Sequence, residues 1–420
     1  MEGRSTPALT DPLDGASISF FRVAFGVILA VEICRYFALG WIERDFIQPE
    51  FHFAYFGLEG LRPWPEPWIQ VHFALLLLLA LGIAFGGRQR LCAALFALGF
   101  GLANLWDKST YQNHNYLVFL FAILLALVPA TIRPSGVPRW GLYLFRFQVA
   151  VPYVFGGIAK LGGDWLAGAP MGMWLTQRMD FPVLGKYFEE PWLVGIFVWG
   201  GLVFDLAIVP LLLWRRTRVA AFIGAVLFHL VNHRLFQIGI FPWFMIAGTT
   251  LFFAPSWPRR AFERLGRSLP SVGDTAQPIR SWQRFVVVAW IVLQVALPLR
   301  HWLYPGRVDW TEEGHRFAWH MKLRDKQARI HSITLHDLRN GESGGVDPRD
   351  HLTNRQITEM CMHPVMIRQF ALHVADKARA HGIQPEIRAD IRVSLNGAPF
   401  VPLIDPELDL VAFPARLTEH

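Results

Sequence analysis

The chain has 420 residues, of which 53% are hydrophobic and only 17% are charged, against about 25% charged residues in ordinary soluble domains. With 17 tryptophans and 34 phenylalanines, this composition excludes an ordinary soluble protein and predicts a membrane protein. The net charge of +7 does not indicate a nucleic-acid partner, because the arginines cluster beside apolar segments and accompany no recognised nucleic-acid-binding motif.

Nine apolar segments approach the length needed to cross a bilayer, about 20 residues in a helix. Residues 1–17 are polar with few basic residues, so we expect no cleaved signal peptide and a first helix that acts as its own insertion signal. An odd number of spans places the two termini on opposite sides of the membrane. The predicted spans are 18–40, 67–86, 90–106, 114–132, 143–161, 191–214, 218–235, 238–254 and 282–300.

Four basic loops predict the orientation, since Lys and Arg close to helix ends stay cytoplasmic. Each of these loops follows an even-numbered span. They are GGRQR at 86–90, RPSGVPR at 133–139, WRRTR at 214–218 and PRRAFERLGR at 258–267. The N-terminus is therefore predicted to be cytoplasmic, while the loops poorer in Arg and Lys, such as 44–68, face outward.

After Pro305 the composition changes and charges become frequent. Segments 328–337 and 386–397 alternate as strands do, and 355–382 has mostly helical periodicity, interrupted by Pro364. The predicted fold class is an α-helical polytopic membrane protein with about nine transmembrane helices and a C-terminal α+β extracytoplasmic domain.

Polar residues inside the spans indicate function, because burying them in lipid is costly. Lys160 ends the fifth span, His114 opens the fourth, and His229, Asn232 and His233 lie late in the seventh. The last three share one helix face, since they are three and four residues apart. Singly, each would more often be a snorkelling lysine or a hydrogen-bonded core histidine. Because they come from three helices and meet near the outer membrane boundary, we predict one site.

These residue types favour acid–base chemistry over metal binding. A lysine in an apolar pocket can act as a neutral base toward acidic hydrogens of lipid-soluble molecules. HxxxH without a nearby carboxylate set is weak evidence for a metal, and none is expected. Cys34, Cys92 and Cys361 lack metal-ligand or CxxC spacing, and no disulfide framework is expected. Other ionisable residues of the spans are interpreted as structural partners, namely Arg22, Glu32, Arg35, Arg146 and Asp205.

Ordered motifs extend along almost the whole chain, from residue 18 to residue 412. They are DKSTYQNHNYL, FGGIAKLGGDWLAG, WGGLVFDL, FHLVNHRLFQIGIF, APSWPR, EEGHRFAWHMKLR, ITLHDLRNGE, and IRVSLNG followed by IDPELDL. In this order they resemble the vitamin K-dependent gamma-glutamyl carboxylase family, whose transmembrane region also defines a wider bacterial family of horizontally transferred transmembrane domains. The chain looks like a bacterial-type homologue, shorter than the animal enzymes in its outer domain and without their disulfide.

The resemblance implies roles for individual residues. Lys160 matches the lysine thought to deprotonate the reduced quinone, and Asn113 and His114 match residues that place or stabilise the reacting species. Other residues near these motifs are expected to line the quinone and active site. They are Asp107, Lys108, Trp165, His229, Asn232 and His233.

The implied substrates are a lipid-soluble quinol (reduced vitamin K or menaquinol), dioxygen, carbon dioxide and a glutamate-containing protein or peptide. The hydroquinone anion would react with dioxygen and rearrange to an epoxide through a strongly basic alkoxide. That base would remove a glutamate γ-proton, and the carbanion would attack carbon dioxide to give γ-carboxyglutamate. Water exclusion is required, and an apolar chamber among membrane lipids would supply it.

The change in composition and the resemblance together predict the domain organisation. Residues 1–17 form a cytoplasmic tail, 18–305 a transmembrane catalytic domain and 306–420 a soluble domain that presents the peptide. Basic residues next to Trp319 are candidates to hold the glutamate carboxylate, although they read equally well as ordinary strand-face charges. They are Arg316, Lys322 and Arg324.

Two other functions stay open. One is quinol epoxidation or oxidation without protein carboxylation. The other is a transporter or lipid-binding membrane protein, which buried polar groups would also suit. Transporters often show an internal repeat and broken helices at the membrane midplane, and the two halves of this sequence show no convincing repeat. Polar groups gathered at one boundary fit an active site better.

Overall fold

A bundle of apolar helices is followed by a small α+β domain. The structure is a computed structural model that describes residues 11–130, 136–267 and 279–413. Three short helices connect the longer ones: α6 (Gly163–Leu166), α7 (Ala169–Thr176) and α11 (Trp257–Arg264). The apolar helices are α1 (Ala16–Ala38), α2 (Trp68–Phe85), α3 (Gln89–Leu105), α4 (Asn113–Leu127), α5 (Arg139–Ala159), α8 (Pro191–Leu213), α9 (Arg218–Phe236), α10 (Phe241–Thr249) and α12 (Ser281–Leu299).

Each apolar segment of the sequence coincides with one of these helices, but their lengths differ. Six are long and apolar enough to cross a membrane: α1, α2, α5, α8, α9 and α12, the last extended to Leu303. Helices α3 and α4 are shorter, as is α10 with its continuation to Phe252. The multi-pass membrane fold is thereby confirmed, while the count of nine spans stays a prediction.

The basic loops lie at one end of the bundle. Strand β1 (Pro12–Leu13) pairs with β2 (Val137–Pro138), and Arg259 Nε donates to Asp14 Oδ2 at 2.6 Å. Nearby, Arg90 Nε donates to the carbonyl of Ala126 at 2.8 Å, beside the end of α4. Part of the predicted N-terminal tail and of the 133–139 loop falls outside the described residues. The side of the membrane that this end faces stays a prediction.

Close backbone approach organises the bundle core. A Cβ on Gly26 of α1 would lie 2.7 Å from the carbonyl of Ala80 in α2, so only glycine permits this contact. Such packing matters in a membrane, where lipid tails are as apolar as the core and van der Waals contact replaces the hydrophobic effect. Phe21 packs on Phe121 and Phe145 at 5.0 and 5.6 Å between ring centroids.

The C-terminal domain is one antiparallel sheet covered on one face by helices. The strand order is β4-β3-β5-β6, with β3 Lys326–Asp337, β4 Ser343–Gly345, β5 Pro385–Leu395 and β6 Val401–Pro402. The helices are α13 (Val308–Thr311), α14 (Asn354–Met360) and α15 (Pro364–Ala380). The two predicted strands are present as β3 and β5. The predicted interruption of the helix is also present, because Pro364 begins α15, where a missing N–H costs nothing.

This domain sits on the end of the bundle opposite the basic loops, here termed the distal end. Gln356 Nε2 donates to Asp107 Oδ2 and to the carbonyl of Phe51, both at 2.7 Å. The Lys108 N–H donates to the Phe53 carbonyl at 2.7 Å, and the Phe53 ring is buried in the core of the C-terminal domain. The two domains therefore share a polar and apolar interface around the loops after α1 and α3.

Candidate active site

A cavity of about 990 Å³ lies at the distal end of the bundle. Helices α5, α8 and α9, the first residues of α4 and the distal end of α1 form its walls, and residues 320–322 of the C-terminal domain also border it. Most of its lining side chains are aromatic or aliphatic. Ile196 and Leu227 line it and are 57% and 59% exposed on the lipid-facing side of α8 and α9. The cavity is therefore bounded by residues that also face the surrounding lipid.

Lys160 lines the cavity. It is the C-cap of α5, and its Nζ lies 2.5 Å from Asp205 Oδ2 and 3.5 Å from the carbonyl of Gly156. The Trp165 ring lies on another side, 5.3 Å from Nζ. The side chains of Lys160 and Asp205 are only 11% and 9% exposed. The ammonium is therefore held by one carboxylate in surroundings that exclude most water.

A glycine brings this pair together. A Cβ on Gly157 would lie 2.6 Å from Leu206 Cδ2 and 3.2 Å from Asp205 Cβ. Distances below 3.0 Å are essentially never seen for real Cβ atoms, so a side chain at this position requires Leu206 or the backbones of α5 and α8 to shift. Close packing of α5 and α8 at this glycine thus accompanies the contact between Lys160 and Asp205.

A second polar pair lines the same cavity. The Tyr153 hydroxyl and His229 Nε2 are 2.6 Å apart, and His229 is buried. Its Nδ1 has no hydrogen-bond partner among the described residues. Asn232, one turn further along α9, also lines the cavity. Helix α9 therefore presents both side chains to the region that holds Lys160.

Asn113 and His114 reach the cavity from the first turn of α4. The Tyr111 hydroxyl donates to Asn113 Oδ1 at 3.0 Å and accepts from the Phe317 N–H at 2.7 Å. A Cβ on Gly239 would lie 3.7 Å from the His114 ring, so the loop after α9 packs directly on the imidazole. Asn113 is thus held through Tyr111 to the C-terminal domain.

The C-terminal domain contributes His320 and Lys322 to the lining. Lys322 Nζ lies 5.5 Å from the Trp174 ring and 5.7 Å from the Phe236 ring. Burial lowers the pKa of Lys322, opposed by the charge of Asp325, and no salt bridge to Lys322 occurs within the described ranges. Burial also lowers the pKa of His320 to about 3, so this imidazole is neutral at physiological pH. Lys322 is therefore a cation without a bonded carboxylate at the edge of the cavity.

Two of the candidate lining residues lie elsewhere. Asp107 is fully buried, accepts from the Ser109 N–H at 2.7 Å and contacts His52 at 3.2 Å, in addition to its bond from Gln356. Lys108 borders a separate pocket of about 200 Å³. Only the later part of DKSTYQNHNYL reaches the cavity, and its first part instead joins the two domains.

The predicted helix face of α9 is divided. His229 and Asn232 line the cavity, whereas His233 lines a neighbouring groove, with its ring 5.6 Å from that of Trp243. We predicted that His229, Asn232 and His233 share one site. This is not met for His233, because the cavity and the groove lie on two sides of this helix end.

Of the four candidates for glutamate binding, only Lys322 lines the cavity. Arg316 borders the smaller pocket, and Trp319 is fully buried against Tyr116 at 5.3 Å. Arg324 forms an ion pair with buried Glu312. The sequence left open that these residues are ordinary charges on the face of a strand. They instead belong to the loop before β3, which begins at Lys326.

Several cavity residues were interpreted from the sequence as structural partners or were not singled out. Asp205 pairs with Lys160, while Glu32 and Arg35 form an ion pair at 2.7 Å in the lining. Tyr153 was not singled out. The sequence could have identified Asp205 as a functional candidate, because an acidic residue within an otherwise apolar span indicates function. By contrast, Arg146 is a structural residue as expected, since it donates to the carbonyls of Leu251 and Phe253 beyond α10.

An apolar groove of about 1000 Å³ adjoins the cavity. One face of α1, including Phe20, Ala24 and Val31, lines it opposite Trp243 and Ala247 of α10. The groove shares three lining residues with the cavity at its distal end, Arg35, Gln237 and Gly239. A molecule with a polar head in the cavity and a long apolar chain could therefore occupy both.

The described residues include one group with metal-ligand spacing, Glu50, His351 and His373, whose ligand atoms lie within 4.8 Å of one another. Lys377 Nζ lies 2.5 Å from Glu50 Oε1 and 3.4 Å from His351 Nδ1. This ammonium already compensates the carboxylate, and none of the three residues lines the cavity.

Comparison with protein families decides the identity. The HTTM domain model matches residues 10–257, and the model of the vitamin K-dependent gamma-carboxylase lumenal domain matches residues 279–419. The chain belongs to the vitamin K-dependent gamma-carboxylase family. No solved structure matches it. The resemblance drawn from the motifs is confirmed, and the carboxylase family assignment gives a membrane enzyme of carboxylase type. The family implies a vitamin K hydroquinone and glutamate-containing substrates.

Proposed function

We propose that this carboxylase couples epoxidation of a membrane hydroquinone by dioxygen to carboxylation of glutamate side chains. The observation that carries the proposal is the buried pair of Lys160 and Asp205, set in an apolar cavity that lipid-facing residues border. A glutamate γ-carbon is too weak an acid for any amino-acid base at neutral pH. Oxidation of the hydroquinone to the epoxide supplies the strong base that this step requires.

Lys160 and Asp205 would together accept the first proton. A proton between Nζ and Oδ2 can reside on either partner without leaving an uncompensated charge, which is what makes a buried pair tolerable. When Asp205 holds that proton, the lone pair of Lys160 is available to a hydroquinone hydroxyl. The resulting protonated pair carries one positive charge beside the hydroquinone anion, and the apolar walls strengthen that attraction.

The remaining polar residues would orient the ring. Asn113 and His114 reach the cavity from α4, and the Tyr153–His229 pair reaches it from the junction of α5 and α9. Because Asn113 is bonded to Tyr111, and Tyr153 to His229, these three side chains can hold a substrate oxygen without reorganising. Asn232 supplies a further amide in the same lining.

The glutamate would enter beside the C-terminal domain. Lys322 lies beside two aromatic rings in the cavity lining, and it forms no salt bridge within the described residues. Its side chain is exposed, and its ammonium can form a charge-assisted hydrogen bond with a carboxylate. The neutral imidazole of His320, adjacent in the lining, adds a hydrogen-bonding group without a competing charge.

The apolar groove suits the side chain of the quinol. Its lining on α1 runs from Phe20 to Arg35, a length of about 22 Å at 1.5 Å per residue. Its shared boundary with the cavity allows the ring to lie near His114 while the chain follows α1.

The test is a reaction of the purified protein in detergent with reduced vitamin K or menaquinol, dioxygen, bicarbonate and a glutamate-containing peptide. Epoxide and carboxylated peptide are measured together, beside Lys160→Ala. Both products, absent in the variant, are expected. Epoxide alone would favour quinol oxidation without protein carboxylation, and neither product would favour a transport or lipid-binding role.

A further inference from the structure

We propose that the open edge of strand β3 binds the substrate peptide as an additional, extended strand. The proposal rests on the proposed function in one respect, namely that the partner is a glutamate-rich peptide. Peptide addition to a sheet edge draws affinity from main-chain hydrogen bonds and specificity from neighbouring side chains.

Strand β3 is only partly covered by its neighbours. It pairs with β5 from Lys326 to Asp337, except at His331. On its other side β4 pairs only with Thr334, Leu335 and His336. No strand among the described residues covers that side from Gln327 to Ser332. The four residues 329–332 are exposed, so other segments do not cover this edge either.

The register shows which backbone groups face the open edge. Ile330 is paired with Ile391, and the Ile391 carbonyl accepts from the Leu403 N–H at 2.9 Å on the β6 side. In an antiparallel ladder both polar groups of a residue point the same way. Ile330 and Ile391 therefore form a pair without mutual hydrogen bonds, and the N–H and C=O of Ile330 point to the open edge.

The side chain of Ile330 also lacks cover. It lies on the same sheet face as Ile391 and Val393, which are fully buried, yet it is itself 37% exposed. A strand added at this edge would cover it and complete the apolar face of the sheet. Addition of one strand would therefore bury the Ile330 side chain and also supply hydrogen-bond partners for its backbone N–H and C=O.

The charge at this edge favours an acidic partner. Arg329 is exposed, stacks on the Phe400 ring at 4.1 Å and has no salt bridge within the described ranges. It pairs in register with Arg392, which is bound to Asp390 at 3.1 Å. Like charges opposite one another in a sheet are unfavourable. A carboxylate from a neighbouring strand would relieve this repulsion.

The edge leads to the cavity. Strand β3 begins four residues after Lys322, a distance of at most about 13 Å in extended chain. Its start is anchored to the bundle, because Trp174 Nε1 donates to Asp325 Oδ1 and Asn396 Nδ2 donates to Asp164 Oδ2, each at 3.1 Å. A peptide on β3 would therefore be delivered toward the cavity entrance.

A β-bulge limits the length of strand β3 that can pair with the peptide. The register shifts between Ile330 and Ser332, and bulges discourage pairing at sheet edges. The bulge lies away from the cavity, so the stretch from Gln327 to Ile330 keeps regular geometry next to the entrance. This arrangement favours one short peptide strand over edge-to-edge pairing of two copies of the chain.

A direct measurement of peptide binding tests this proposal independently of the enzymatic reaction. A fluorescent glutamate-rich peptide of about ten residues, long enough to form a strand, is titrated by anisotropy without any quinol. Ile330→Pro removes the edge N–H without breaking the β5 ladder, and Arg329→Glu reverses the charge. Loss of one hydrogen bond predicts roughly a three- to tenfold weaker Kd for Ile330→Pro, and a similar loss is expected for Arg329→Glu.

The controls are Ile330→Val and Arg339→Glu, the latter in the exposed turn beyond β3. Both should bind the peptide as the wild type does. Wild-type Kd values in both Ile330→Pro and Arg329→Glu would overturn the proposal, as would a change of oligomeric state in Ile330→Pro, which would assign the edge to a second copy. If peptide binding depends on the edge while the wild type forms no product, the proposed function fails and the docking surface stands.

Discussion

Lys160 Nζ lies 2.5 Å from Asp205 Oδ2, and both side chains are buried in the wall of the distal cavity. The two residues are 45 positions apart on α5 and α8, so the contact depends on how these helices pack. The pair is neutral as a unit, which allows it to exist in apolar surroundings. This contact is the basis of the first three predictions.

Asp205→Asn should lower the rate of quinol epoxidation about 100- to 10,000-fold, the range typical of a lost acid–base group. Asparagine keeps the shape but removes the carboxylate that shares a proton with Nζ, so the proton that Lys160 takes from the hydroquinone has no second acceptor in the pair. The KM for quinol should change little, because the ring contacts are retained. Asp180→Asn, at a 79% exposed side chain, is the matched control and should keep wild-type turnover. An unchanged kcat in Asp205→Asn would remove Asp205 from the proposed mechanism.

Lys160→Ala should abolish epoxidation and also destabilise the protein, since removing one partner of a buried pair costs about 3–5 kcal/mol. The double variant Lys160→Ala, Asp205→Asn should unfold at a higher temperature than Lys160→Ala alone, because no buried charge is left. Thermal unfolding in detergent measures this. Additive losses of stability in the double variant would contradict a coupled pair.

Gly157→Ala should separate α5 from α8 and lengthen the contact between Lys160 and Asp205. The added Cβ would lie 2.6 Å from Leu206 Cδ2, and overpacking of this kind costs about 1–3 kcal/mol. We expect lower turnover with intact expression. Leu206→Ala in the same chain should restore activity by making room. Failure of this rescue, with Leu206→Ala alone active, would show that spacing is not the cause.

Lys322→Met should raise the KM for the glutamate peptide about tenfold, the effect of losing roughly 1.4 kcal/mol of charge-assisted binding. Burial lowers the pKa of Lys322, and carboxylate binding requires the ammonium form. The wild-type KM should therefore rise as pH increases through that lowered pKa. Lys322→Arg should keep the low KM and shift the rise to higher pH. A pH profile of Lys322→Met identical to that of the wild type would contradict this role.

Ala24→Phe should fill the groove along α1 and discriminate between quinols by their tails. Turnover of a long-chain menaquinol should fall, whereas a tailless hydroquinone needs only the cavity and should react as before. Val292→Phe, on α12 at a 60% exposed position, controls for added bulk at the lipid face. Equal loss or equal retention with both quinols would place the tail elsewhere, such as between α8 and α9.

The helices and strands could be predicted from the sequence because their signals are local. Long apolar runs require helices in lipid, where every backbone group must be bonded within the segment. Alternation identified β3 and β5, and Pro364 marked a helix start because it lacks an N–H. Lys160 and His114 were found by their polarity near span ends and Asn113 by the family motifs, and all three line one cavity.

The partners of these residues depended on tertiary structure. Hydropathy marks Asp205 as unusual but does not reveal that Gly157 lets it reach Lys160. Helical periodicity groups His229 with His233 but does not show that a cavity and a groove lie on two sides of α9. The sequence determined which segments form apolar helices and which residues are chemically able to react. Packing between distant segments decided which of them meet, because burial and bonding depend on contacts that no local pattern contains.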